Sequence, residues 1–137
     1  SADAYFAIKE IDIGMVADVG TLQRLPKIVG SQGLVRELAY TGRKVDAEEA
    51  LRIGLVNRVF DSREALHAGV HELALQIAAK SPLSIRGTKE ILNHTRDHSV
   101  ADGLQYMASW NAAMLMSQDL MTAMMASMSK QTPEFKD

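Results

Sequence analysis

The sequence predicts an α/β fold in which strand at the N-terminal end gives way to helix. Three observations predict it. Residues 4–13 alternate loosely, with Phe6, Ile8 and Ile11 apolar, as a half-buried strand does. Residues 55–60 read as a second short strand. From residue 62 onward, apolar side chains recur at helical spacing in one segment after another. Two short strands so far apart do not make a stable sheet by themselves. The chain is therefore expected to be the tail end of a larger α/β fold, or to take its other strands from a companion segment. A small self-sufficient helical domain is the alternative.

The elements follow in order. A turn is expected around residues 14–20, with Gly14 and Gly20 in it. Residues 21–29 carry Leu22, Leu25, Ile28 and Val29 at helical spacing, and Pro26 must sit in the first turn or kink the helix. Ser31 can cap a helix that runs through Tyr40, and Gly42 can end it. Asp46-Ala47-Glu48-Glu49 resembles a capping box for a short helix stopped by Gly54. Residues 62–80 place Leu66, Val70, Leu73 and Ile77 on one stripe. Ser81-Pro82 is an N-cap followed by proline at N1, opening a helix to about Arg96. Ser99 caps the next, with Asp102 in its first turn, where the helix dipole favours an anion. Ser117 caps a last helix through Met128.

Composition excludes several function classes. The 137 residues suffice for one domain with a core, and the net charge of −2 gives no pull toward nucleic acid or anionic membrane. There is no run of about 18 apolar residues to span a bilayer. The start, Ser1 to Phe6, lacks the basic and apolar regions of a signal peptide. With no cysteine, disulfides, thiol nucleophiles and thiolate metal sites are excluded.

The chemistry-bearing stretch is residues 6–25. A strand ends in Glu10-Ile11, Gly14 follows four residues after the glutamate, a turn holds Gly20, and a helix carries Gln23-Arg24-Leu25. This resembles the signature of the crotonase (enoyl-CoA hydratase/isomerase) superfamily. Leu38-Ala39-Tyr40-Thr41-Gly42-Arg43, Gly54-Leu55-Val56-Asn57, Lys80-Ser81-Pro82 and the closing Pro133 to Asp137 match it as well, so the resemblance covers essentially the whole chain. One departure is diagnostic. Where hydratases of the family usually have a small residue, this chain has Asp18. Residues 17–26, Arg96 to Val100 and Ala108 to Asn111 are similar to the Δ3,5-Δ2,4-dienoyl-CoA isomerase branch.

The resemblance implies a C-terminal half: the last part of a crotonase ββα spiral over residues 1–80, then a helical trimerisation region over residues 81–137. It implies movement of the double bonds of a 3,5-dienoyl-CoA to the 2,4 positions in fatty-acid β-oxidation. That reaction removes a proton from C2 and adds one at C6, which lie too far apart for one short carboxylate to reach both. Two carboxylates solve the geometry. By resemblance Asp18 takes the C2 proton and Glu10 serves C6, with the reverse assignment also open. Asp18 at the start of the following helix would be favoured as an anion, and Glu10 among Ile8, Ile11 and Ile13 would be favoured as a neutral acid. Taken singly, the plain readings are a helix cap for Asp18 and an exposed strand-end residue for Glu10. Asp12 shares the strand face of Glu10 by parity and reads as structural.

Further expectations come with the resemblance. The oxyanion-hole donors, a further aspartate and most of the CoA-binding loop belong to segments before Ser1, so the chain alone is expected to be inactive. Lys130 aligns with a lysine that approaches a CoA phosphate from a neighbouring subunit; a solvated surface lysine is the alternative. No metal or redox cofactor is implied, since CoA is part of the substrate. The expected partners are acyl-CoA, the missing N-terminal half, and copies of the chain in a trimer or dimer of trimers. Of the 8 methionines all but Met15 fall between Met107 and Met128, which suits an oligomer interface as well as a core. The expected location is intracellular: cytoplasmic in a bacterium, mitochondrial or peroxisomal in a eukaryote. Arg24, Lys27, Arg43 and Lys44 read as a scattered solvated face rather than a phosphate patch. His67 and His71, like His94 and His98, stand at i, i+4 and read as surface histidines rather than metal ligands. The rival readings are an enoyl-CoA hydratase on the same scaffold and a non-catalytic oligomerising fragment.

Overall fold

Tyr5–Phe6 form β1, which pairs antiparallel with β2, Val45–Asp46, so that Tyr5 faces Asp46 and Phe6 faces Val45. These are the only strands among the described residues, 1–136, of the computed structural model. A 3₁₀ turn, Glu10–Ile13, comes next. The helices are α1 Thr21–Val29, α2 Gln32–Thr41, α3 Ala47–Arg52, α4 Arg63–Ala78, α5 Pro82–Thr95, α6 Val100–Met114 and α7 Gln118–Met128. The chain divides into two compact units, Ser1–Val70 and His71–Asp137.

Both strand expectations need correction. Of residues 4–13 only Tyr5 and Phe6 are strand, and Glu10 to Ile13 wind into the 3₁₀ turn, so the parity that placed Glu10 and Asp12 on one face does not apply. Residues 55–60 form no strand. Leu55 and Val56 pack on the core, and Phe60 accepts a single backbone bond from Ala2 N–H at 2.8 Å. A strand exists only where a ladder continues, and the partner of β1 is the unanticipated pair just before α3.

In the first unit Leu38, Val45 and Ala50 are buried, with Ile8, Leu34, Ile53, Leu55 and Val56 packed around them. Local signals set the helix ends. Ser31 Oγ accepts from Leu34 N–H at 3.3 Å, and Asp46 Oδ1 accepts from Glu49 N–H at 2.8 Å. The Glu49 carboxylate does not complete a capping box. It takes a fork from Arg43 instead, Nη1 and Nη2 each at 2.8 Å, while Arg43 Nε donates to Glu37 at 2.8 Å. The guanidinium thus links the end of α2 to α3. Those hydrogen bonds hold the Glu49 carboxyl below the usual carboxylate range, against a smaller opposing effect of burial. Pro26 lies inside α1 at its sixth position, beyond the first turn, and the helix runs on to Val29.

The second unit is built on α5, α6 and α7. Ser81, Ser99 and Ser117 each cap the helix that follows through a side-chain oxygen. Ser81 is only 8% exposed and donates to Asp119 Oδ2 at 2.5 Å, which ties the start of α5 to the first turn of α7. Gly87 lets α6 approach α5: a Cβ there would stand 2.6 Å from Trp110 Nε1. The reading of His94 as a surface residue is corrected. It is half-buried, stacked on His98 (centroids 3.7 Å) and on Tyr106 (4.3 Å), with Trp110 edge-on to Tyr106 at 6.2 Å. Burial, and then Glu90 beside it, push the Tyr106 hydroxyl above its usual range. A cavity of about 640 Å³ lies among α5, α6, α7 and residues 132–135.

The surface is large for the mass. At 15.0 kDa a folded monomer exposes about 7,000 Å², and two independent half-size globules about 8,500 Å². The chain exposes 10390 Å². No large side chain among the described residues is fully buried, and the expected apolar stripe of α4 has Val70, Leu73 and Ile77 in the open. These facts weigh against a self-sufficient helical domain.

Candidate active site

Glu10 opens the 3₁₀ turn that Gly14 closes in the left-handed region, at φ 74°. Its carbonyl accepts from Met15 N–H at 3.0 Å, and its side chain is half-buried. The turn is seated on the C-terminal end of α2. Lys9 Nζ donates to Asp12 Oδ2 at 2.6 Å and to the Gly42 carbonyl at 3.0 Å. Gly42 itself sits at φ 57° in a tight seat: a Cβ would stand 3.1 Å from Asp12 Oδ1 and 3.2 Å from the Ile8 carbonyl. Asp12 is therefore structural, as expected, through an ion pair rather than strand parity.

Asp18 lies in the loop between the 3₁₀ turn and α1, exposed to solvent. It does not cap α1. Gly20, at φ 91°, occupies the N-cap and there is no side-chain cap bond, because a left-handed glycine turns the chain into the helix directly. Arg24 folds back over this loop and donates to the Val19 carbonyl at 3.3 Å. The segment therefore carries two carboxylates eight positions apart, each on a short loop bounded by a left-handed glycine. Neither carboxylate is committed to a cap or an ion pair among the described residues.

The setting of Glu10 differs from expectation in one respect. Ile8 packs inward on the core, but Ile11 and Ile13 are exposed, as are Met15, Val16 and Val19. The two acids stand in a rim of uncovered apolar side chains rather than a closed pocket. A cavity of about 190 Å³ in this unit is lined by Phe6, Ile8, Leu25, Leu38 and Val45 among others, and by neither carboxylate.

Lys130 belongs to the second unit. It is the residue after the Ser129 C-cap of α7 and has φ 53°, unusual for a residue with a Cβ. Lys130 N–H donates to the Ser127 carbonyl at 3.2 Å, and Gln131 N–H to the Ala126 carbonyl at 2.8 Å. This is a Schellman motif with lysine where glycine is usual. The ammonium is exposed beside a helix C-terminus, which favours a cation.

Arg24 and Arg43 are engaged as described, and Lys44 Nζ lies 4.0 Å over the Tyr5 ring. His67 and His71 are exposed on α4, and no group of three His, Cys, Asp or Glu residues among those described could hold a metal. No helix among the described residues is long and apolar enough to cross a membrane. The Tyr106 contact to His94 was not anticipated, since the i, i+4 histidines were visible but their partner comes from the next helix.

Comparison with known proteins places this segment in context. The enoyl-CoA hydratase/isomerase family profile matches residues 1–137. The chain is 54% identical over 124 residues to the mitochondrial Δ(3,5)-Δ(2,4)-dienoyl-CoA isomerase of Pongo abelii, covering 90% of this chain and 38% of that protein. It is 50% identical over 135 residues to the peroxisomal enzyme of the same name from Arabidopsis thaliana, covering 98% and 48%. Among solved structures, the enoyl-CoA hydratase of Bacillus anthracis superposes with a TM-score of 0.93 at 30% identity, over 98% of this chain and 52% of that one. The chain thus spans about half the length, or less, of the proteins it matches. With a match over its whole length and a crotonase-type α/β fold, the chain belongs to the enoyl-CoA hydratase/isomerase family.

Proposed function

We propose that the protein containing this chain is an isomerase that converts 3,5-dienoyl-CoA to 2,4-dienoyl-CoA, a step in the β-oxidation of unsaturated fatty acids. The observation that carries the reading is the pair Glu10 and Asp18, two uncommitted carboxylates eight positions apart on one glycine-bounded segment. A simple hydration does not account for an acid at position 18, whereas a proton moved from C2 to C6 needs a group at each end. In the proposed reaction Asp18 removes the C2 proton. The charge spreads over the thioester oxygen and the conjugated chain, and Glu10 delivers a proton at C6. The identity to relatives bearing the isomerase name supports this choice over hydration.

The chain is the C-terminal half in this reading, and the remainder of the protein supplies the backbone donors for the thioester enolate, which is usually the largest single contribution to such a reaction. Lys130 then faces a CoA phosphate of a neighbouring subunit. The exposed Met116, Met121, Met124, Met125 and Met128 form part of an interface between copies in a trimer or paired trimers. CoA enters as part of the substrate, and no step requires a separate cofactor. The protein works inside the cell, in a mitochondrion or peroxisome if its source is eukaryotic.

The test uses the full-length protein. Loss of 3,5-dienoyl-CoA with gain of the 2,4-dienoyl absorbance is expected, and Asp18→Asn should lower kcat by several orders of magnitude with little change in KM. Water addition to a 2-enoyl-CoA without dienoyl turnover, or a near-normal rate for Asp18→Asn, would refute the proposal.

A further inference from the structure

We propose that Lys9 is a positioning residue for Glu10, acting through its bridge from Asp12 to the carbonyl of Gly42. The inference rests on the proton-transfer reading above and adds to it the means by which one of the two carboxyl groups is held in place.

The geometry is local and specific. Glu10 stands at the first position of a four-residue 3₁₀ turn, Glu10–Ile13, whose hydrogen-bond geometry is poorer than that of an α-helix. Its neighbour Lys9 reaches forward to Asp12 Oδ2, the third residue of the turn, at 2.6 Å. The same ammonium reaches the Gly42 carbonyl at 3.0 Å, thirty-three positions away. That carbonyl lies just past the end of α2, where unpaired carbonyls and the helix dipole attract a cation. One side chain therefore clips the turn shut and moors it to a helix of the core. Leu38, buried in that core, accepts from Gly42 N–H at 3.1 Å, so the mooring point is itself fixed.

The energetics separate positioning from general stability. Lys9 and Asp12 side chains are 61% and 49% exposed, and such a pair contributes about 0–1 kcal/mol. Losing it should not unfold the protein. A shift of the turn by about an ångström, however, can cost on the order of a hundredfold in rate when it displaces an acid from its reacting atom.

The experiment uses the full-length enzyme in deuterated buffer with 3,5-dienoyl-CoA as substrate. Lys9→Met keeps most of the unbranched apolar stem of the side chain and removes both bonds. It should lower kcat by about ten- to a hundredfold, leave KM and Tm near those of the wild type, and lower deuterium uptake at C6 far more than exchange at C2. Lys9→Arg, which keeps a cation with donors, should recover part of the rate, and Asp12→Asn should fall between. An unchanged kcat for Lys9→Met overturns the proposal. So does an equal fall of exchange at C2 and C6, which marks a general structural role. Glu10→Gln, measured alongside, keeps the two failures apart. If it abolishes C6 uptake while Lys9→Met does nothing, only the positioning role is lost. If it changes nothing, the assignment of Glu10 as acid is lost and the positioning role with it.

Discussion

Gly42→Ala tests whether the seat of the Glu10 turn is as tight as its geometry demands. Two costs add. Gly42 has φ 57°, and an L-residue in the left-handed region costs about 1–2 kcal/mol. The new Cβ would also meet Asp12 Oδ1 at 3.1 Å, Ile11 Cγ2 at 3.2 Å and the Ile8 carbonyl at 3.2 Å. Asp12 can rotate aside, but the Ile8 carbonyl is backbone and must carry the segment between β1 and the 3₁₀ turn with it. Overpacking of this kind costs about 1–3 kcal/mol. Alanine returns about 0.4–1 kcal/mol by restricting the unfolded chain. The net is a destabilisation of about 1–5 kcal/mol. At a central value of about 2.5 kcal/mol, Tm of the full-length protein, about twice the length of this chain, should fall by roughly 3–5 °C. Thermal and urea unfolding measure it, with Gly33→Ala as the control, since nothing lies within 4 Å of a Cβ at that helical position. Turnover of dienoyl-CoA by the folded fraction should fall as well, because the turn bearing Glu10 must move. A Gly42→Ala protein within about 0.5 kcal/mol of the wild type, no less stable than Gly33→Ala, would refute the argument that this contact is both strained for a side chain and closely packed.

Two further perturbations have signs that the structure determines. Gly87→Ala gains about 1 kcal/mol of helix propensity but drives a methyl to 2.6 Å from Trp110 Nε1, so a net loss of up to about 2 kcal/mol is expected. The surroundings of Trp110, the single tryptophan of these 137 residues, should change, and an unchanged Trp110 indole signal with a more stable protein would contradict the packing. Glu49→Gln removes a carboxylate whose folded-state pKa is depressed chiefly by the Arg43 hydrogen bonds. A group depressed in the folded state contributes stability that is present above its unfolded pKa and is lost as pH falls through its folded value. The gap between wild type and variant in urea midpoint should therefore be widest near neutrality and close in acid, and a gap independent of pH would count against the ion pair.

Much of the helical framework was legible because capping is local. Ser31, Asp46, Ser81, Ser99 and Ser117 each accept from the backbone three residues on, as their positions before apolar-periodic segments predicted. The sheet was not legible, because a strand is defined by a partner. Residues 4–13 have strand-like alternation, yet only Tyr5 and Phe6 meet one, and that partner, Val45–Asp46, is too short to show any period. At the site, the identities of Glu10 and Asp18 were readable from spacing and resemblance, but their surroundings were not. The plain alternative of Asp18 as a helix cap fails because Gly20 occupies the N-cap in a conformation that needs no side chain. The apolar pocket expected around Glu10 fails because Ile11 and Ile13 turn outward once the segment winds as 3₁₀ helix instead of strand.

That outward turn bears on the chemistry. Ile13 is 72% exposed and Val16 75% exposed, and Ile11, Met15 and Val19 are uncovered beside them. So many apolar side chains on a nine-residue stretch are a liability in water and mark a surface that another body covers. The proposed reaction needs that cover. A dienolate and two carboxyl groups exchange protons efficiently only where water is excluded and fixed dipoles act in a low dielectric. Side chains that would be a defect on a finished surface would, on the proposed reading, be the lining of a site closed from the other side. On the proposed reading, the same physical demand accounts for the uncovered apolar rim and for the position of its carboxylates: the apolar residues would line the acyl chain, and the acids would stand where that lining is interrupted.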